Sequence, residues 1–187
     1  MFREITYTDV SRSQAQDDVR GFVMDEEAFR SFYDRTARSL WLYLARITGD
    51  RHQADDLLQE AFYRFLRADA VHESETHRRN SLFRIATNLA RDARRRRLAR
   101  PEAGAEVEPA GGGFGNPEKA ADLNRAMAQL KPRERELLWL AYAEGASHKE
   151  IANVLGLQPS SMKILLFRAR RRLAVLLGRE ESTNAAR

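Results

Sequence analysis

The 187-residue chain contains no cysteine. Disulfide staples and thiolate metal sites are therefore excluded, and a reducing cytoplasm suits such a chain. Nowhere do 18 apolar residues follow one another, so no membrane insertion is expected. The opening stretch MFREITYTDV lacks a basic start followed by an apolar run, so no secretory signal is expected either. Proline is scarce, at five residues, which leaves room for long helices. Acidic residues are outnumbered: 27 Asp and Glu stand against 32 Lys and Arg, for a net charge of +5. A basic balance favours polyanionic partners, nucleic acid or an anionic membrane surface.

What is present is helical periodicity. Residues 1–24 are polar and aperiodic and read as a poorly ordered N-terminal arm. From Asp25, an N-cap candidate, apolar residues recur at helical spacing through Phe29, Phe32, Leu40, Leu44 and Ile47, and Gly49 supplies a stop. Asp50 opens a second helix, with Ala54, Leu57, Leu58, Ala61, Phe62, Phe65 and Leu66 along one face. Residues 67–77 are polar and read as a loop, and a third helix is expected over about Arg79 to Leu98. Composition then shifts: PEAGAEVEPAGGGFG is rich in Pro, Gly, Ala and Glu and cannot build a core, so 101–116 reads as a flexible acidic linker. Four short helical patterns follow, starting at Pro117, Pro132, His148 (after the capping box Ser147–Glu150) and Pro159, the last ending near Leu177. The expected fold is all-α. Two small helical domains, 25–100 and 117–178, are joined by the linker, and a tail occupies 179–187.

Three stretches carry function. In SHKEIANVLGLQPSSMKILLFRARRRL, residues 147–173, a capped helix, a turn at Gly156 and a basic second helix form a helix-turn-helix pattern. Its second helix would enter the major groove, with Ser160, Ser161, Met162 and Lys163 at the N-terminus and Arg168 and Arg171 on phosphate. The four consecutive arginines Arg94–Arg97 surround a helix turn, so they suit phosphate rather than one groove. The polar face of ADDLLQEAFYRFL, residues 54–66, has no histidine or metal ligand at a matching offset, so it suits a protein dock better than catalysis. The stretch His72-Glu73-Ser74-Glu75-Thr76-His77 superficially suggests zinc, but its histidines are five apart in an expected loop, and the zinc-protease pattern needs four on a helix. No catalytic residue, metal or cofactor is expected, and the chain is not expected to be an enzyme.

From Phe29 to Leu177 these stretches together resemble an extracytoplasmic-function sigma factor. DDLLQEAF is similar to the family's polymerase-gripping helix, with Asp56, Leu57, Gln59, Glu60 and Phe62 matching. SLFRIATNLARDARRRR is similar to the segment that opens the promoter −10 element, matching at Leu82, Ile85, Ala86, Asn88 and Asp92. LKPRERELLWLAYAEGASHKEIANVLGL with the basic helix is similar to the −35 reader. The resemblance implies that Asp55, Asp56, Gln59, Glu60 and Tyr63 bind core RNA polymerase. It assigns His72, His77, Arg84, Asn88, Arg91 and Arg95 to the −10 element, with a flipped-base pocket around residues 70–77. It assigns Ser160, Ser161, Met162, Lys163, Arg168 and Arg171 to the −35 element. The implied partners are core polymerase (clamp helices and flap), promoter DNA as duplex and single strand, and an anti-sigma factor, all in the cytoplasm. The chain departs from the family at Ser81, where tryptophan is usual, at Ser161-Met162, usually Thr-Val, and at Leu165, often arginine. A stand-alone helix-turn-helix repressor is the competing reading, and it leaves the first hundred residues without a task.

Overall fold

The computed structural model describes residues 24–68, 70, 72–99 and 117–184. Nearly all of the N-terminal arm, the whole of the linker and the end of the tail expected from the sequence lie outside them. Among the described residues there are seven α-helices and no strand.

The first half is a three-helix unit: α1 (Glu26–Thr48), α2 (Arg51–Arg67) and α3 (Glu75–Ala99). Its ends are set by local chemistry. The Asp25 carboxylate accepts from the Ala28 N–H at 2.7 Å, and Asp50 does the same for Gln53 at 3.0 Å, each satisfying a donor that the first turn leaves open. Gly49 closes α1 in the left-handed conformation, φ 76°, with its N–H on the Ala45 carbonyl. Helix α3 begins four residues before Arg79. The Ser74 hydroxyl accepts from the His77 N–H at 3.1 Å, a cap that recruits polar residues whose sequence shows no apolar period.

The core between these helices is aromatic. Phe32 stacks on Phe65 with centroids 5.3 Å apart and meets Phe62 edge-on. Phe83, Leu82, Leu40 and Leu44 are buried around them. Tyr43 is fully buried and its hydroxyl lies 2.9 Å from Thr87 Oγ1, which itself donates to the Phe83 carbonyl. Thr87 thus accepts and Tyr43 donates, so neither polar group is stranded. Burial raises the Tyr43 phenol well above its ordinary pKa, and it stays protonated.

The second half comprises α4 (Pro117–Gln129), α5 (Pro132–Tyr142), α6 (His148–Leu155) and, after a 3₁₀ turn at Pro159–Ser161, α7 (Met162–Asn184). The capping box is formed: Ser147 Oγ accepts from the Glu150 N–H and the Glu150 carboxylate accepts from the Ser147 N–H at 2.7 Å. These bonds hold the Glu150 carboxyl below its usual pKa. Gly156 ends α6 at φ 65°, a backbone that an L side chain rarely adopts. Helix α7 starts three residues later than Pro159 and runs past Gly178, which keeps a helical backbone instead of the positive φ that stops α1 and α6.

The halves are in contact. Helix α6 packs on α3 and α5 packs on α1, so Ile151, Leu155, Leu137 and Leu140 join the same buried cluster as Phe83 and Leu44. A smaller cluster of Ala126, Met127, Leu130, Leu138, Ala169 and Leu176 holds α4, α5 and α7 together.

Candidate nucleic-acid interface

Helix α2 buries Ala54, Leu57, Ala61, Phe62 and Phe65, which leaves the other side of the same turns outward. Asp55, Asp56, Gln59 and Tyr63 are exposed there and Glu60 is half-buried. Asp55 accepts from the Trp41 indole N–H at 2.6 Å, Glu60 pairs with Arg64, and Arg67 bonds the Tyr63 hydroxyl. The three acids, the amide and the phenol therefore form one continuous polar strip on a rigid helix.

At the α2–α3 turn, the His72 ring stacks on Phe65, centroids 5.2 Å apart and nearly parallel, and meets His77 edge-on at 5.4 Å. Burial, followed by the neighbouring His77 and Arg78 charges, lowers the His72 pKa. A cavity of about 170 Å³ opens here, lined by Met24, Phe65, Leu66, Ala70, His72 and Arg78. Two polar atoms at it, His72 Nδ1 and Arg78 Nε, are buried without a hydrogen-bond partner among the described residues. Groups of that kind suit a polar ligand.

Along α3, Arg84, Asn88, Arg91 and Arg95 recur at intervals of three and four, which places them in one stripe. Arg84, Asn88 and Arg95 are exposed, and Arg95 pairs with Asp92. Arg91 is different. Its guanidinium grips Glu136 of α5 with two nitrogens, at 2.6 and 3.3 Å, and also donates to the Leu155 carbonyl. Burial opposes the charge on Arg91, but hydrogen bonding and attraction from Glu136 outweigh it, and its pKa is raised.

In the helix-turn-helix, Ser160, Lys163, Arg168 and Arg171 are exposed and Ser161 is half-buried. Met162 is fully buried and belongs to the core cluster, so its side chain packs α7 onto α6 and offers no edge to a groove. Ile164 and Phe167, which the sequence reading passed over, stand 50% and 55% exposed beside Lys163 and Arg168.

Other residues that sequence reasoning missed lie between the halves. Glu144 accepts from Arg79, from Ser39 at 2.5 Å and from the Trp139 indole at 3.0 Å. Arg46 lies over the Trp139 ring at 5.4 Å and bonds Asn124. One signal was available. Glu136 sits four residues before Leu140 on α5, in line with the buried face, where an acid needs a partner.

The description "Sigma-70 region 2" matches residues 32–100 and "Sigma-70, region 4" matches residues 120–173. SigL of Mycobacterium tuberculosis, an ECF RNA polymerase sigma factor, is 32% identical over 160 residues, covering 79% of this chain and 88% of its own. CarQ of Myxococcus xanthus, an RNA polymerase sigma factor, is also 32% identical, covering 83% of this chain and 92% of its own. The chain belongs to the extracytoplasmic-function sigma factors. Among solved structures, CnrH in complex with the cytosolic domain of CnrY aligns with a TM-score of 0.59 at 28% identity, covering 82% of this chain and 90% of that one. RpoE of Bartonella quintana, solved with the anti-sigma factor NepR, shares the fold at a TM-score of 0.64 and 23% identity, covering 80% and 96%.

In this sigma factor, region 2 coincides with α1–α3 and region 4 with α4–α7 up to Leu173. It directs RNA polymerase to promoters. A stand-alone repressor is not supported, because residues 32–100 match Sigma-70 region 2 beside the helix-turn-helix half. Among the described residues no helix is long and apolar enough to cross a membrane.

Proposed function

We propose that α2 docks on core polymerase through Asp55, Asp56, Gln59, Glu60 and Tyr63, that α3 and the turn before it open and hold the −10 element, and that α7 reads the −35 duplex. The observation that carries the −10 assignment is the cavity beside α3. An aromatic shelf of Phe65 and His72, with unsatisfied polar atoms on His72 and Arg78, has the chemistry to take a base out of its stack. Extruding a base costs a few kcal/mol, which stacking and hydrogen bonding must offset. His77, Arg84, Asn88 and Arg95 would then run along the displaced strand. Ser160, Ser161, Lys163, Arg168 and Arg171 would bind the −35 element, and Met162 would support the helix from behind.

Two elements centred about 25 base pairs apart are separated by roughly 85 Å of duplex at ~3.4 Å per base pair. In the compact form α3 touches α6, so both elements cannot be held at once. Residues 100–116 between Ala99 and Pro117 can span at most about 65 Å when fully extended, enough with the width of the two domains to cover the gap. Promoter binding therefore separates the halves, breaks the Arg91–Glu136 pair and frees Arg91 for phosphate.

In this reading the polymerase supplies the chemistry and this chain supplies specificity, without catalysis of its own, in the cytoplasm. An anti-sigma protein is its other partner, as NepR is for RpoE of Bartonella quintana.

The test is permanganate footprinting of thymines in a candidate −10 element. Reactivity should appear only when core polymerase and this protein are both present. Asp56→Arg should weaken core binding about tenfold while leaving the melting temperature in place, as a docking-surface substitution does. Reactivity without the protein, or core affinity unchanged by Asp56→Arg, would overturn these assignments.

A further inference from the structure

We infer that Ile164 and Phe167 are specificity-determining residues of the −35 contact, and that each reads a thymine through its C5 methyl group. The inference rests on the assignment of α7 to the −35 duplex. The side of α7 that faces the protein is set by Met162, Leu166 and Ala169, which are 0%, 5% and 0% exposed. At about 100° per residue, Ile164 points directly away from that side, and Phe167 lies within one helical step of it. Two large apolar side chains on this outward side are half-exposed, Ile164 at 50% and Phe167 at 55%.

Their surroundings decide the occupant. Lys163, Arg168 and Arg171 are exposed on the same turns, and Ser160 precedes them, so the face is cationic with an apolar centre. A polyanion fits the rim. The centre fits no phosphate, because an alkyl or phenyl group cannot replace the hydration of a charged oxygen. The apolar feature on a base edge in the major groove is the thymine methyl. An aliphatic side chain and a phenyl ring one turn apart, flanked by phosphate-binding cations, are placed to pack on one or two such methyls. Leu165, on the same turn, is half-buried and leaves the outward positions to Ile164 and Phe167.

The experiment uses the full chain with core polymerase. A −35 element is first selected from a randomised library by initiation. Each thymine in it is then replaced by deoxyuridine, which removes the methyl group and leaves every hydrogen-bonding group in place. Apparent affinity should fall roughly fourfold at one or two positions, the factor that burying one methyl is worth. Ile164→Ala or Phe167→Ala should abolish the sensitivity at its own position and leave the melting temperature unchanged. A selected element without thymine would overturn the inference, as would indifference to deoxyuridine or equal sensitivity in the alanine variants. Loss of core binding in Ile164→Ala would also overturn it, by pointing to a protein dock on this face. A holoenzyme that initiates but ignores the methyls leaves the proposed function standing, whereas failure to initiate with any template sinks that function too.

Discussion

The molecule holds two populations of arginine, and they contrast in what surrounds them. Arg79 and Arg91 lie between the halves, half-buried, each held by a carboxylate that is itself buried, Glu144 and Glu136. Arg84, Arg168 and Arg171 lie on outward faces in solvent. The first kind is fixed by local partners and costs stability when disturbed. The second costs little to change in the free protein and acts through its charge on a polyanion. One chain uses the same side chain as mortar and as bait, and the burial of the facing acid decides which.

Removing the acid at the most buried pair should break that contrast most strongly. Glu136→Ala strands the Arg91 guanidinium against the Leu155 carbonyl and the core, and should destabilise the protein by about 3 kcal/mol in urea unfolding. Glu144→Ala leaves Ser39 and the Trp139 indole without their acceptor and should cost about 2 kcal/mol by the same measurement. An outward arginine should behave otherwise. Arg168→Ala should move stability by less than about 0.5 kcal/mol, while lowering the salt slope of promoter binding by about 1. The smallest effect concerns pH. The His72 pKa is depressed in the folded state, so the unfolded chain binds its proton first as pH falls. Stability from this group is complete above its ordinary value of 6.5 and declines as pH drops below it. Replacing His72 with Gln should flatten that part of a melting-temperature profile.

Much of this was legible beforehand. The caps at Asp25, Asp50 and Ser147, the stops at Gly49 and Gly156, and the apolar face of α2 follow from spacing alone, because each is decided within four residues. The start of α3 was harder to place, since Ser74 caps polar residues that carry no apolar period. Met162 falls by spacing in the apolar set of α7 and by position among the residues at its DNA-facing N-terminus, and packing decides for the core. Glu136 and Glu144 were invisible as partners because Arg91 and Arg79 lie dozens of residues away. The same holds for Ile164 and Phe167: an apolar residue in a helix suggests core until the core is located on the opposite side.

This chain gives polymerase its promoter specificity. Multi-round run-off transcription on fragments of the source genome, with sigma-free core polymerase, tests it most directly. Addition of the protein should yield a small set of discrete transcripts that share upstream elements, and Asp56→Arg should remove them. Transcription that is no more specific with the protein than without it would contradict the account.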